Sequence, residues 1–440
     1  MRKYLNIKSF PFFYGYIILF SGTIGVLMSS PGQTIGISVF TDYLVRDLGI
    51  SREALSFAYM IGTFGSAFIL TNAGKFFDKF GARITSVIAA ILMGISLLFL
   101  SQIGIIGNLF NSIFSGMSNS AIIFILLVFG FFAVRFSGQG VLTMSSKNMV
   151  MKWFDKRRGL ASAIMGISIS FGFSYSPRIF DALISNLGWR ETWLLLAFVS
   201  GIIFAAFAFL TFRDNPAAFG LIPDGKEIIH KTKKKQVFTS EKDYTLPEAR
   251  STFSFWIYNL TLSMQALYGT AITFHIADVF LSAGMDRETA ISIFLPMSVV
   301  AVIVQLISGY IADYIKMKYL LLAEIAGMML SMAGLFILES GLPVYMIIVG
   351  SGIASGLFGV VSIVTWPRYY GTKHLGSITG FNMAWIVAGS AVGPYMFSLI
   401  KEYSGSYHFP GLILLVVTFV LFIMGFKTDN KNLKAGTGIK

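Results

Sequence analysis

The chain has 440 residues, 55% of them hydrophobic and 12% charged, with a formal net charge of +13 and a mean hydropathy of +0.73. A soluble domain carries roughly a quarter charged residues, so this composition excludes a soluble globular protein and implies a polytopic membrane protein. Cysteine is absent, which excludes disulfides, thiolate metal sites and thiol redox chemistry.

Roughly 20 apolar residues cross a bilayer as a helix. On that measure the sequence predicts spans at 11–40, 54–76, 82–104, 119–149, 159–185 and 190–212, then a polar segment at 213–250. Six more spans follow at 253–283, 288–314, 317–339, 342–368, 375–402 and 408–427. The first apolar stretch follows Met1, Arg2 and Lys3 but exceeds the roughly 7–15-residue core of a signal peptide, so it is expected to stay as a membrane helix. The expected fold is all-α, with twelve transmembrane helices in two pseudo-symmetric six-helix bundles. Its parts are an N-terminal bundle at 1–212, a cytoplasmic linker at 213–250, a C-terminal bundle at 251–428 and a cytoplasmic tail at 429–440.

Charge placement gives the orientation. With the N-terminus inside, the outer segments hold only Arg46, Arg52, Arg190, Arg287 and Lys401, while Arg135 and Arg178 fall within spans. Every other one of the 34 Lys and Arg lies on the inner side, as the positive-inside rule requires. Both termini are therefore expected in the cytoplasm of a cell whose inner membrane holds the chain. The basic charge then meets the anionic leaflet and not nucleic acid. The run His230–Lys235 reads as part of a solvated linker.

Neither ATP use nor enzyme chemistry has support. No GxxxxGK[ST] loop or nucleophile–base set occurs, and His230, His275, His374 and His408 are too scattered to form a metal cluster. No cofactor or metal is expected.

The two halves echo each other. Gly74 to Asp78 (GKFFD) is matched by Gly309 to Asp313 (GYIAD), and Gly159, Gly172 and Pro177 recur as Gly376, Gly389 and Pro394 at one constant offset. Two similar halves imply a pseudo-two-fold axis along the membrane normal, about which the bundles rock to expose a midplane site alternately.

On these residues the chain resembles the major facilitator superfamily. The segment Gly74 to Arg83 is similar to that family's signature loop after span two, and Arg135 to Gly140 (RFSGQG) to its element in span four. Arg213 to Gly225, and Tyr244 to Arg250 before Phe255 and Trp256, resemble the oxalate/formate antiporter and monocarboxylate porter branch. The resemblance implies alternating-access transport of a small organic anion, by symport or exchange. It also implies inner gating by Gly74, Asp78 and Arg83, with Asp313 as the second copy. Span eight carries no basic residue, unlike that branch.

A charge within the hydrocarbon region costs several kcal/mol unless paired or wetted, so each one needs a reason. Arg135 and Gln139 share a helix face and are candidate ligands for a carboxylate, as is Arg178, which Asp181 three residues on could instead pair. His275 and Asp278 also lie three apart and are the candidate proton-coupling pair. Gln33, Tyr268 and Asn382 are softer substrate-binding candidates, and the lone acid Glu324 is expected to have a structural partner. The expected partners are a small organic anion, protons and the lipid bilayer, with the chain acting as a monomer. Two other readings stay open: export of a neutral or cationic compound, and a solute sensor of the same fold.

Overall fold

The computed structural model describes residues 11–113, 118–224, 238–240, 242–428 and 433–435. The run His230–Lys235 and most of the tail lie outside these residues.

The first expected span is broken into pieces. Helix α1 (Gly15–Leu27) ends before a tight turn at Ser30–Gly32, followed by α2 (Thr34–Ser38) and α3 (Thr41–Leu48). Pro31 has no N–H to continue the α1 ladder, and Gln33 is extended at φ −88°, ψ 155°. The break was not anticipated, because the stretch is apolar on both sides of it.

Helix α4 (Arg52–Ser101) covers the second and third expected spans, joined at the non-helical Gly81 (φ 77°, ψ 174°). A short helix not anticipated, α5 (Ile103–Ile113), follows it. The fourth span is α6 (Asn119–Val134), a π-helical stretch Arg135–Leu142, and α7 (Thr143–Trp153). The fifth is α8 (Arg158–Leu187), and the sixth runs through α9 (Trp189–Phe198), a π-helical stretch Val199–Phe204 and α10 (Ala205–Thr211).

Beyond the linker helix α11 (Leu246–Arg250) come α12 (Phe253–Ser282), α13 (Arg287–Ser292) and α14 (Phe294–Ala312). The chain continues through α15 (Met317–Phe336), α16 (Leu342–Tyr370), α17 (Leu375–Ser404) and α18 (His408–Gly425). Two three-residue strands, β1 (Phe238–Ser240) and β2 (Leu433–Ala435), pair antiparallel beside the all-α membrane fold.

Among the described residues, ten helical runs are long and apolar enough to cross a membrane. One of them, Glu53–Ser101, is two helices joined at Gly81, and α12 is a further thirty-residue helix. Asn259, Thr261, Ser263 and Gln265 make α12 less apolar than the ten. Together these give the twelve expected crossings.

The described chain forms two compact units. One comprises residues 1–153, 168–226 and 379–384, the other residues 154–167, 227–378 and 385–440. In the first, Phe77, Met93, Phe131, Trp153 and Trp193 are fully buried. Its helices approach at glycines: a Cβ on Gly94 would stand 2.7 Å from the Gly201 Cα, so only a bare backbone fits. In the second unit, Phe255, Tyr258, Met328, Trp366 and Tyr370 fill the interior, and α15 meets α16 at Gly327 and Gly350. Large apolar side chains such as Phe20, Phe68, Ile95 and Leu295 point outward, the surface a bilayer would solvate.

Candidate functional site

Arg135 opens the π-helical stretch of the fourth span and is 1% exposed. A π turn interrupts the ordinary ladder and re-aims the side chains around it, and such bulges recur at functional sites. The guanidinium reaches the break in the first span, where Nη1 donates to the Gly32 carbonyl oxygen at 3.0 Å. Its carbon lies 5.3 Å from the centroid of the Tyr59 ring, and the Tyr59 hydroxyl donates to Thr34 Oγ1 at 2.9 Å. Among the described residues Arg135 has no carboxylate partner, and its Nε is buried with no acceptor.

The break and the bulge fit each other closely. A Cβ on Gly32 would fall 2.6 Å from the Val134 carbonyl oxygen, and one on Gly138 3.0 Å from the Gly32 Cα. Gln33 Nε2 donates to Ser29 Oγ at 2.9 Å and to Thr143 Oγ1 at 3.3 Å, which ties the extended residue to the far end of the bulge. Gln139, one turn after Arg135, has its Oε1 buried and unpartnered. The structure thus brings Arg135, Gln139 and Gln33 together around Gly32, with Tyr59, Ser29 and Thr143 as additions. Tyr59 carried no signal in the sequence, since a lone tyrosine in an apolar helix is unremarked until the fold brings a cation to its face.

The other substrate-binding candidates make no hydrogen bond to this group among the described residues. Arg178 is exposed on α8 and makes no ion pair with Asp181 among the described residues. Tyr268 is buried in the second unit with its hydroxyl 2.7 Å from Ser331 Oγ, which in turn bonds Ser351. Asn382 is buried in the 379–384 segment, beside Thr379, whose Oγ1 accepts from Asn148 Nδ2 at 2.7 Å.

His275 and Asp278 are joined through a third group. His275 Nε2 donates to the Pro394 carbonyl oxygen at 2.9 Å, and its Nδ1 faces the Tyr407 hydroxyl at 3.4 Å. Asp278 Oδ2 accepts from Tyr407 and from Lys401 Nζ, both at 2.6 Å. Burial and the bond to Asp278 push the Tyr407 hydroxyl above its ordinary value, so it stays a proton donor. Neither Tyr407 nor Lys401 was singled out in the sequence, because more than a hundred residues separate them from their partners.

Beside the Gly81 bend of the first unit, Arg83 Nε donates to the Phe212 carbonyl oxygen at 3.1 Å. The carboxylate at the Gly81 bend is Asp214, which accepts from the Ala82 N–H at 3.0 Å and from Lys152 Nζ at 2.9 Å. Gly74, four residues before Asp78 on α4, admits Gly380: a Cβ on Gly380 would come within 3.1 Å of the Gly74 Cα. In the second unit Asp313 accepts from the Gly159 N–H at 3.0 Å and the Leu160 N–H at 3.4 Å. Arg368 bonds both Asp313 and the Ala312 carbonyl oxygen.

Glu324, expected to have a structural partner, has none among the described residues: it is 0% exposed and both carboxyl oxygens are unpartnered. An unsatisfied buried polar group costs about 1–3 kcal/mol. Glu324→Leu, close in volume, is therefore expected to raise the thermal unfolding temperature of the detergent-purified protein. A drop of several degrees would mean that Glu324 holds a structural bond.

Twelve helical crossings define a multi-pass membrane protein. The chain belongs to the Major Facilitator Superfamily, whose family model matches residues 22–394. It is 24% identical over 286 residues to the uncharacterized MFS-type transporter YhjX of Escherichia coli K12 and 22% identical over 221 residues to the oxalate:formate antiporter of Oxalobacter formigenes. These matches cover 63% and 50% of this chain and only 61% and 45% of the two relatives. A third relative, the probable sulfoacetate transporter SauU of Cupriavidus necator, is 21% identical over 86% of both chains. Among solved structures, the fucose:proton symporter FucP of E. coli is similar in fold, with a TM-score of 0.59 at 12% identity over 95% of this chain and 98% of that one. The proton:xylose symporter XylE has a TM-score of 0.64 at 15% identity, covering 94% and 95%.

Proposed function

We propose that the protein is a secondary carrier for a small, monocarboxylate-like organic anion, moved by alternating access and coupled to protons or to a counter-anion. The observation that carries this reading is the free edge of Arg135. With Nη1 held by Gly32, the buried Nε donor is left without an acceptor. A carboxylate is the group that would supply one, through a charge-assisted hydrogen bond. A cation this deeply buried is costly without a counter-charge, and an anionic substrate supplies one during each cycle. The names of two relatives, an oxalate:formate antiporter and a probable sulfoacetate transporter, support the same class.

His275 is the proton site of this scheme. While Nε2 donates to Pro394, a neutral ring has only a lone pair at Nδ1, facing an oxygen whose proton goes to Asp278. Protonation at Nδ1 turns that pair into a donor and completes a chain from His275 through Tyr407 to Asp278 and Lys401. The scheme gives a pH profile in which uptake rises as the outer side is acidified. His275→Gln is expected to flatten the profile; an unaltered profile would remove His275 from the coupling step.

The inner gate uses Gly74, Asp78 and Arg83 in one half and Asp313 in the other. The carrier works as a monomer in the inner membrane, with both termini cytoplasmic. The test is uptake of labelled monocarboxylates into proteoliposomes, with and without an inward proton gradient. Gradient-stimulated accumulation of one acid supports symport, and trans-stimulated uptake without a gradient supports exchange. Transport of a neutral sugar or an organic cation, with no acid carried, would overturn the reading.

A further inference from the structure

Helix α7 is enclosed almost all the way round. Of its 11 residues, only Lys147 and Lys152 are not buried. Lys152 is accounted for, since its Nζ donates to the two oxygens of Asp214 at 2.9 and 3.1 Å. Lys147 is partly exposed and has neither a hydrogen bond nor an ion pair among the described residues.

The surroundings of Lys147 are fixed by its helix neighbours, because residues three and four positions away share its face. On one flank, Thr143 Oγ1 donates to Ser29 Oγ at 3.1 Å, and a Cβ on Gly22 would stand 2.6 Å from Val150 Cγ2, so this side packs on the first span. On the other flank Met144 and Met151 are buried, and Asn148 Nδ2 donates to Thr379 Oγ1 at 2.7 Å. Lys147 therefore lies between the first span and the 379–384 segment of the same unit, and its exposed surface opens inward, not to lipid.

A lysine near the end of a crossing ordinarily extends its ammonium to the headgroups. Here the neighbours bar that route, and the Cα–Cβ bond leans toward the N-terminal end of the helix, the side of Arg135. An uncompensated charge in such a place is costly. Arg135 and Lys147 thus stand on one continuous crossing, Asn119–Trp153, with no carboxylate partner for either among the described residues.

We propose, resting on the anion reading above, that Lys147 is a second contact for the substrate carboxylate, the one that receives it from Arg135 on the way to the inner face. The two cations suit different tasks. A guanidinium holds a carboxylate in a fixed geometry, whereas an ammonium is a compact charge on a flexible stem that follows a moving ligand and releases it readily. At 1.5 Å per residue the two positions are about 18 Å apart along the helix, too far for one small acid to touch both, so the contacts are made in turn.

The chain has no cysteine, so Lys147→Cys carries a single thiol whose charge can be set chemically. The purified variant would be treated with an aminoethyl, a sulfonatoethyl or a methyl methanethiosulfonate, reconstituted, and assayed for labelled monocarboxylate uptake. A charge-assisted hydrogen bond is worth enough that its loss should lower uptake by ten-fold or more, on the order of magnitude expected for one such contact. The aminoethyl adduct is expected to restore most of that loss, the methyl adduct little, and the sulfonatoethyl adduct to lower uptake further. The three adducts share one protein preparation, so the order of their rates is read even where the substitution itself impairs folding. Equal uptake by the cationic and anionic adducts, or a variant as active as the unaltered chain, would overturn the inference. A thiol that no reagent reaches would overturn it too, because a small anion could not reach the position either. If the unaltered chain carries no acid at all, the anion reading fails before Lys147 is tested.

Discussion

Arg135→Ala should lower saturable acid uptake by two to four orders of magnitude while the purified protein keeps its thermal stability. The first half follows from the hydrogen bonds a guanidinium offers a carboxylate. A hydrogen bond to a charged group is worth about 1.5–3 kcal/mol, so losing a pair of them removes about 3–6 kcal/mol of ligand binding. Each 1.4 kcal/mol is a factor of ten. The second half follows from what Arg135 does without a substrate: one bond to the Gly32 carbonyl, one aromatic face and no carboxylate. Removing it forfeits about 1.5–3 kcal/mol of bonding but also relieves a buried charge that nothing in the described chain neutralises. Binding sites commonly hold such groups at the expense of stability. Arg135→Lys separates charge from geometry: an ammonium cannot hold Gly32 and bridge both carboxylate oxygens together, so it should recover little of the uptake. The check is labelled-acid uptake beside thermal unfolding of the same preparation. Uptake and unfolding temperature falling together would make Arg135 a structural strut for the Gly32 break.

The features legible in the sequence are those that depend on average hydropathy or on spacing within one helix. Twelve crossings follow from apolar length, and the internal repeat has a packing cause. Gly172 on α8 accommodates Leu27 of the first span, and Gly389 on α17 accommodates the Ser263 carbonyl of α12. In each half the fifth helix thus presses against the first, and Pro177 and Pro394 both lie inside those helices. Arg135 and Gln139 were legible for the same reason, being one turn apart on a single segment.

What hydropathy cannot register is a change in helix type or a partner distant in the chain. The π-helical stretches at Arg135–Leu142 and Val199–Phe204 alter the ladder without altering composition. Asp278 with His275 read as a pair, whereas the structure puts Lys401 and Tyr407 on Asp278. Arg83, which the resemblance makes a gating residue, donates to the Phe212 carbonyl, with Asp214 at the adjacent bend. Lys401, Tyr407, Phe212 and Asp214 all lie more than a hundred residues from the groups they meet.

Asp313→Ala is expected to free the start of α8, with amide exchange at Gly159 and Leu160 faster on the order of a hundred-fold. Three groups converge on this carboxylate: the Gly159 and Leu160 N–H donors at the first turn of α8 and the Arg368 guanidinium. Asp313 and Arg368 are both buried, so their attraction is little screened, and the carboxylate also meets the positive end of a thirty-residue helix. Removing one member of such a pair costs about 3–5 kcal/mol, much of it from the charge left behind. The packing around it leaves no room for a substitute. A Cβ on Gly159 would strike the Gly309 carbonyl oxygen, and Gln305 lies against Gly166, two turns further along the same face of α8. Asp313→Asn keeps an acceptor for one N–H but not the charge that Arg368 and the helix end require, so it should show an intermediate rate. If Asp313 governs the inner gate, both variants should also shift access at the α8 start, read as faster thiol labelling of a cysteine placed at Ser162. Exchange that rises without a change in labelling would leave Asp313 a helix cap and take it out of the gate.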